Sequence, residues 1–180
     1  MTSTESPARG AALFVSASAT FSVGGILFGP FAAGPGVALG LGVQASDYFA
    51  AYLWGSATAL PLSPSSSVSD LSTALMFEGS PAKWLSLAAG PGVTLLTQST
   101  VRLGVTSADL AVFPSLQTST SINVPIASDR SGVRISLGVG VMLLTTHVSY
   151  YDDGQRTIDQ MPSRGQVGLR LGLTVGYVFR

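Results

Sequence analysis

The sequence has no cysteine and few ionised residues, since only 10% of its 180 residues are Asp, Glu, Lys or Arg. Ordinary soluble domains carry roughly 25% charged residues, so a water-exposed surface of this composition would be short of ions. Without cysteine, disulfide bonds and thiolate chemistry are excluded, which is compatible with an oxidising compartment. The shortage of ions is the first indication that much of the surface does not face water.

The chain also lacks an excess of charge of either sign. Its formal net charge is zero, so no basic field attracts nucleic acid, and we expect no nucleic-acid partner. Helix formers such as Glu and Lys are scarce, whereas Gly, Ser, Thr, Val and Leu are common. The length suits one domain made of strands and turns.

A secretory signal and a transmembrane helix are both missing from the first 46 residues. The start, MTSTESPARG, is polar, and the apolar run Ala11 to Val15 is too short for a signal core. The uncharged span between Arg9 and Asp47 is long enough for a helix, but glycines and prolines interrupt it. We therefore expect residues 1–10 to be a disordered tail of a mature chain, from which a signal was removed and to which Met1 was added for expression.

The clearest pattern is the last one, Val167 to Phe179, which reads VGLRLGLTVGYVF. Large apolar residues occupy every second position, and the residues between them are small or polar apart from Val178. A period of two over such a length predicts a β-strand with one apolar face. The strand is longer than those of ordinary globular sheets and about the length needed to cross a bilayer at a tilt.

The rest of residues 11–180 repeats this design. The alternation predicts about eight strands, joined by short turns at 45–48, 79–82 and 128–132 on one side and by longer connections on the other. The longer connections are expected around residues 26–34, 61–68, 98–109 and 147–165. The facing of strand three stays open, because Tyr52 and Trp54 lie on one side of it and Phe49 and Leu53 on the other.

Alternation alone does not say which face points outward. A soluble barrel would show water the Gly, Ser, Thr and Ala face, which has too few ions to make a good soluble surface. If the apolar face points outward instead, Leu, Val and Ile contact lipid and the small residues fit a narrow barrel interior. Closure of the barrel then satisfies the backbone hydrogen bonds where no water is available. The predicted fold is all-β: a closed, antiparallel, up-and-down transmembrane β-barrel.

This pattern resembles the small eight-stranded outer-membrane barrels of the OmpA and OmpX type over nearly the whole chain. Near the C-terminus, Arg170, Gly172, Val175, Tyr177 and Phe179 resemble the signal that the barrel-assembly machinery reads in that class. The chain departs from it by ending in Arg180 rather than Phe. The resemblance implies a bacterial, Gram-negative outer membrane, with the lipid bilayer and lipopolysaccharide as surroundings and the assembly machinery as a partner during insertion.

Four ionised residues are predicted to face the barrel interior. Glu78 and Arg134 are expected near the periplasmic rim, and Asp70 and Arg170 near the outer rim. A lone ion in a narrow interior is expensive, so opposite charges at matching depth are expected to pair across it. Such pairs would plug the barrel, whereas a conductive role for the same residues is the alternative.

A second candidate site surrounds the one histidine of the sequence. His147 and Ser149 are two residues apart, and Asp152 could orient the imidazole as in a hydrolase triad. The pair resembles the His-x-Ser of the outer-membrane lipid A deacylase family, although the following YYDDG does not match that family. The alternative is a loop or interface residue. The nearby acidic residues do not fit an EF-hand, so neither a metal nor a cofactor is expected.

Three functions stay open from the sequence. The first is a non-enzymatic structural or surface-exposed membrane protein, whose outer loops, especially residues 147–165, contact an unknown extracellular partner. The second is a lipid-modifying hydrolase, and the third is a porin-like narrow channel or a carrier of small apolar molecules.

Overall fold

The computed structural model of the chain describes residues 11–26, 31–63, 66–102, 105–126, 131–143, 146–151, 156–157 and 167–179. All of its regular elements are β-strands, and none of the described segments forms a helix long and apolar enough to cross a membrane. The strands are β1 (Ala12–Ile26), β2 (Phe31–Ser46), β3 (Phe49–Ser63), β4 (Ser66–Ala82), β5 (Leu85–Arg102), β6 (Val105–Pro125), β7 (Gly132–Leu143), β8 (Thr146–Tyr151), β9 (Arg156–Thr157) and β10 (Val167–Phe179).

Eight of these strands form a closed antiparallel barrel. Each of β1 to β6 pairs with the next strand along the chain, β7 pairs with β10, and β10 pairs with β1 to complete the ring. The predicted fold class and strand number are therefore confirmed. We call the end that holds Ala12 and Phe179 the terminal end, and the opposite end the distal end.

The register between the strands fixes the tilt of the barrel. Starting from Ala12 and stepping from each residue to its paired neighbour, the path crosses Gln44, Ala50, Glu78, Ala88, Ser119, Gly138 and Gly172 and returns to β1 at Ser22. It comes back ten residues further along the strand. With strands about 4.8 Å apart and a rise of about 3.3 Å per residue, this stagger corresponds to a tilt of about 40°.

The two faces of the wall carry the residues that the alternation predicted. Large apolar side chains point outward, among them Leu39 and Leu137, which are 62% and 59% exposed. Small and polar side chains point inward, and Ser72 and Thr94 are fully buried. In β3, Tyr52 is buried in the interior and Leu53 faces outward. A water-facing barrel would have the opposite arrangement, so the surface is of the kind that lipid covers.

The prediction of a turn at residues 79–82 was wrong. These residues continue β4, and the turn lies at Lys83 and Trp84. Gly79 and Ala82 bound an irregularity in the register with β5, and the Ser80 amide donates to the Tyr48 carbonyl at 2.8 Å. Gly and Pro therefore mark a bulge here rather than a reversal of the chain.

Three of the four connections at the distal end are shorter than expected, because the strands extend into them. Only residues 27–30, 64–65 and 103–104 separate β1 from β2, β3 from β4 and β5 from β6. The predicted loop at 98–109 is thus mostly strand, since β-branched residues such as Thr100, Val101 and Thr106 favour extended backbone. Part of the predicted 147–165 connection is also strand: β8 pairs with β6, and β9 pairs with β8.

Candidate functional site

Four ionised residues whose side chains the structure describes lie in the barrel interior. Asp70 and Glu78 lie on β4, Arg134 lies on β7 and Arg170 lies on β10, all at inward-facing positions. The structure brings Glu78 together with Arg134, and Asp70 together with Arg170. Because the two carboxylates are eight residues apart along β4, the two pairs differ in height by roughly 20 Å along the barrel axis.

The pair nearer the terminal end is bidentate. Arg134 Nη1 and Nη2 donate to Glu78 Oε2 and Oε1 at 2.8 and 2.7 Å, and Arg134 Nε donates to Asn123 Oδ1 at 2.8 Å. Asn123 Nδ2 then donates to Ser86 Oγ at 2.8 Å, and the Ser86 and Ser80 hydroxyls are 3.0 Å apart. This terminal network therefore ties together β4, β5, β6 and β7.

Aromatic side chains fill the space beside the terminal network. The Arg134 guanidinium lies 5.6 Å from the centre of the Phe14 ring, and the Phe14 and Tyr52 rings stack with centres 4.4 Å apart. Phe14 is fully buried, and an apolar cluster forms around it from Ala50, Tyr52, Ala74, Met76, Ala88 and Val178. The ion pair is thus largely buried beside an apolar cluster, where a fork-shaped guanidinium bond to a carboxylate is strong.

The pair nearer the distal end is built differently. Arg170 Nε and Nη1 both lie 3.3 Å from the carboxylate oxygens of Asp70, which is longer than in the terminal network. Hydroxyl groups supply the other contacts: Arg170 Nη1 donates to Ser72 at 2.8 Å, and Nη2 donates to Ser22 at 3.1 Å and to Thr58 at 3.0 Å. The partners of the Arg170 guanidinium therefore come from three strands, β1, β3 and β4.

Further hydroxyls carry the distal network across the lumen. Ser72 Oγ and Thr94 Oγ1 are 2.9 Å apart, Thr94 Oγ1 donates to Ser115 Oγ at 3.4 Å, and Gln117 Nε2 donates to the same Ser115 oxygen at 3.2 Å. The Arg170 guanidinium also lies 5.9 Å from the centre of the Trp54 ring. Six of the eight barrel strands thus contribute side chains to this one layer.

A cavity of about 80 Å³ lies between the two networks. Tyr52, Trp54 and Met76 form an apolar wall. The opposite wall is rich in hydroxyl and amide groups, contributed by Ser16, Ser18, Gln117, Ser119, Ser121, Ser136 and Thr174. The volume and the polar partners are sufficient for a few water molecules, and the cavity is too small for a drug-sized ligand.

The second candidate site is only partly described. His147 and Ser149 lie in β8, where they pair with Ala111 and Asp109 of β6. Asp152, the third member of the predicted triad, lies outside the described residues, so the structure does not test the triad. Among the described residues, no group of three or more His, Asp or Glu side chains is arranged to hold a metal ion.

The predicted assembly signal lies on the last strand of the barrel. Val175 and Phe179 point outward, Arg170 belongs to the distal network, and the Tyr177 and Phe179 rings lie 4.5 Å apart. Gly172 faces inward opposite Ser22 and Gly138. Its role in assembly stays a prediction.

The neutral partners of the two arginines were not identified from the sequence. Asn123, Ser22, Ser72 and Thr58 come from four different strands, and their meeting depends on the stagger of the barrel. The inward face of each strand except β3 could be read from its alternation. The relative heights of those faces could not, because the register was unknown.

Solved structures with this fold are small outer-membrane barrels. The attachment invasion locus protein Ail of Yersinia pestis is 11% identical with a TM-score of 0.60, covering 95% of this chain and 99% of that one. Neisserial surface protein A is 13% identical, with a TM-score of 0.56 and coverage of 94% and 98%. A major outer membrane protein from Thermus thermophilus is 14% identical, with a TM-score of 0.56 and coverage of 93% and 100%.

At these identities the likeness is one of fold. Neither a protein-family model nor a curated protein matches the sequence. The chain therefore has the fold of the small eight-stranded outer-membrane barrels, which confirms the resemblance drawn from its sequence.

Proposed function

We propose that the protein is an integral, non-enzymatic barrel of the bacterial outer membrane, whose interior is closed to solutes and whose distal end is exposed at the cell surface. The observation that carries this proposal is the combination of an apolar outer surface with an interior crossed by two ion-pair networks. An outward apolar face requires lipid, and an eight-stranded interior filled with side chains leaves no continuous pore.

The aromatic residues support this orientation in a membrane. Tyr48, Phe49, Trp84 and Phe179 are exposed side chains grouped at the terminal end. Aromatic girdles mark the boundary between the hydrocarbon layer and water in outer-membrane barrels. In this proposal the terminal end, with its short turns, faces the periplasm, and lipopolysaccharide surrounds the distal half.

The distal end supports a role as a surface platform. Strands β5, β6, β8 and β9 continue beyond the level at which β7 ends and β10 begins. Regular strands hold a projecting structure in a fixed shape more firmly than irregular loops do. We propose that this projecting sheet is the part available for contact with a partner outside the cell.

Folding in surfactant is the first test of the proposal. We expect the refolded protein to migrate faster on a detergent gel before heating than after it, and to give no conductance steps in a planar bilayer. A monomer that is folded in plain buffer without surfactant would contradict the membrane location. Steady conductance of the native protein would instead favour a channel.

The orientation is tested separately in intact cells, using the absence of native cysteine. A Val148→Cys variant carries its thiol in β8 at the distal end, and a Tyr48→Cys variant carries it in a turn at the terminal end. A membrane-impermeant maleimide should label the first and leave the second unlabelled until the cells are lysed. The reverse pattern would show that the barrel is inserted the other way round.

A further inference from the structure

The ladder between β2 and β3 stops before the two strands do. Their pairing ends at Gly36 opposite Thr58, although both strands are described for five residues further towards the distal end. Residues 31–35 of β2 still pair with β1, and residues 59–63 of β3 still pair with β4. The wall therefore divides between these two stretches, which we call the distal seam.

Two prolines explain why the ladder stops here. Continuing the register places Pro35 opposite Ala59. Two residues further on, it places Pro61 opposite Ala33. Proline has no N–H group, so neither alanine carbonyl can receive its ladder hydrogen bond. Because a Cβ at Gly34 would overlap the Ala59 carbonyl oxygen, the two backbones still touch at this point, and close packing rather than a ladder holds the seam.

The same sequence motif has a different effect in β5. AAGPGV occurs at residues 32–37 and again at residues 88–93. Pro91 interrupts the ladder between β4 and β5, but that ladder resumes beyond it and continues to Thr100 near the distal end. No proline occurs in residues 66–75 of β4, whereas β3 carries Pro61 opposite β2. A second proline on the facing strand therefore distinguishes the distal seam from a local interruption.

On the lipid side, the distal seam lies in a shallow apolar groove. The exposed residues of the groove floor are Ala33, Pro35, Ala57, Ala59 and Pro61. Larger exposed side chains form its two rims, Phe21 on β1 and Leu71 on β4. The groove thus offers a narrow apolar surface to the lipid that covers the wall in the proposed membrane.

On the inner side, the barrel carries large apolar side chains at the same level. Leu60 lies in the seam and is 4% exposed, and Phe113 and Met142 are 1% and 2% exposed. Leu60 is two residues beyond Thr58, a partner of Arg170, so these side chains lie at the distal side of that network. We call the three residues the apolar interior layer. A hydrocarbon chain in the seam would therefore find apolar contacts both outside and inside the wall.

We propose that the distal seam is a lateral docking site for one acyl chain of an outer-leaflet lipid, which enters between β2 and β3 and contacts the apolar interior layer. This inference rests on the proposed orientation in the outer membrane and adds a specific lipid site to it. The missing N–H donors lower the free energy needed to separate the strands. The Arg170 network beneath the layer stops the chain from going deeper, so the barrel stays closed to solutes.

A photoreactive lipid shows how far an acyl chain reaches. The protein is refolded into phosphatidylcholine vesicles containing some lipid with a diazirine near the ester end of one acyl chain. After illumination, mass spectrometry of peptides locates the labelled residues. Leu71, on the outer rim, is the control for lipid contact, and Met76, buried deeper in the interior, gives the background. We expect labelling of Leu60 within roughly tenfold of Leu71, which corresponds to an opening free energy of at most about 1.4 kcal/mol.

Restoring the missing donors should close the seam. Pro35→Ala with Pro61→Ala returns both N–H groups to the ladder. Labelling of Leu60 should then fall at least about tenfold, because two more backbone hydrogen bonds must break before the strands separate. Pro91→Ala restores a donor outside the seam and should leave the labelling of Leu60 unchanged. Leu71 should be labelled equally in all of these proteins.

Two results would overturn the proposal: labelling of Leu60 no higher than that of Met76 in the native protein, or undiminished labelling in the folded variant with both seam prolines replaced. Faster migration of the unheated protein on a detergent gel shows that this variant is folded.

If the variant does not fold, a cysteine pair decides instead. Ala33→Cys with Pro61→Cys places two thiols opposite each other across the seam of a chain that has no native cysteine. The disulfide should abolish the labelling of Leu60, and reduction should restore it. Equal labelling in the oxidised and reduced forms would contradict the proposal. Failure of the membrane proposal would appear separately, as a native protein in which Leu71 is not labelled.

Discussion

Arg134 and Glu78 form a bidentate pair across the barrel interior, although 56 residues separate them in the sequence. Neither strand is the neighbour of the other, so this contact exists only when the ring is closed. The pair therefore stabilises the closed barrel rather than any single hairpin.

Removing one partner of this pair should lower the free energy of unfolding. Glu78→Ala leaves Arg134 buried without its carboxylate, which typically costs about 3–5 kcal/mol for a buried pair. We expect the free energy of unfolding to fall by that order in urea titrations of the vesicle-bound protein, followed by the fluorescence of Trp54 and Trp84. The double variant Glu78→Ala with Arg134→Ala should recover part of the loss. An unchanged midpoint for Glu78→Ala would show that the pair does not stabilise the fold.

Ser72 in the distal network and Ser56 outside it are two buried serines that offer a matched comparison. Ser72 Oγ contacts both Arg170 and Asp70, whereas the equally buried Ser56 Oγ has no hydrogen-bond partner in the structure. Ser72→Ala should lower the free energy of unfolding by about 1–3 kcal/mol, the usual cost of removing one partner from a buried hydrogen bond. Ser56→Ala should be neutral or slightly stabilising in the same urea titration. Equal losses in both variants would contradict this account.

The outer surface can be tested with a single charge. Leu39 lies near the middle of β2 and is exposed, so Leu39→Arg places a cation at membrane depth. Such a substitution costs about 2–4 kcal/mol at the centre of a bilayer and much less near its boundary. Tyr48→Arg, in a turn at the terminal end, is the control and should leave the unfolding midpoint nearly unchanged. Similar effects at the two positions would show that Leu39 does not face lipid.

Two inward-facing glycines of the wall should differ in their tolerance of a methyl group. A Cβ at Gly90 would overlap the carbonyl oxygen of Leu75 on the neighbouring strand, and backbone there cannot easily move. A Cβ at Gly138 would meet no atom closer than 3.6 Å. Gly90→Ala should therefore lose about 1–3 kcal/mol or fail to fold, whereas Gly138→Ala should refold with the yield of the native chain. Equal refolding yields would show that β4 and β5 are less closely packed than described.

The facing of the strands other than β3 was predictable because one rule, alternation, decides it, whereas large apolar residues such as Tyr52 and Leu53 occupy both faces of β3. Leu137 is outward and Arg134 inward for the same reason, namely that successive side chains point to opposite faces. The pairing of Glu78 with Arg134 could be anticipated from their similar distances to the terminal end. The contact of Arg134 with Asn123 could not be anticipated, since it depends on which residues of β6 lie opposite β7.

The wrong predictions concern segments whose amino-acid composition is typical of a loop or turn but whose backbone continues as a β-strand. Residues 98–109 are mostly polar, which is typical of a loop, yet β5 and β6 pair without interruption from Gln98 opposite Asp109 to Arg102 opposite Val105. Outside the hydrocarbon layer neither face needs to be apolar, so a strand can continue there with a mostly polar sequence. At residues 79–82 a turn was predicted, whereas Gly79 and Pro81 lie in a bulge at the end of β4.

The pairing of β10 with β1 also determines when the barrel can close. β10 follows the other seven barrel strands in the sequence, so until Val167–Phe179 is in place β1 and β7 each keep one edge without a neighbour. In a membrane those two edges would expose unsatisfied amides and carbonyls to hydrocarbon, which is prohibitively unfavourable. Stable insertion therefore requires all eight barrel strands, and a chain that lacks β10 would have no stable place in the bilayer.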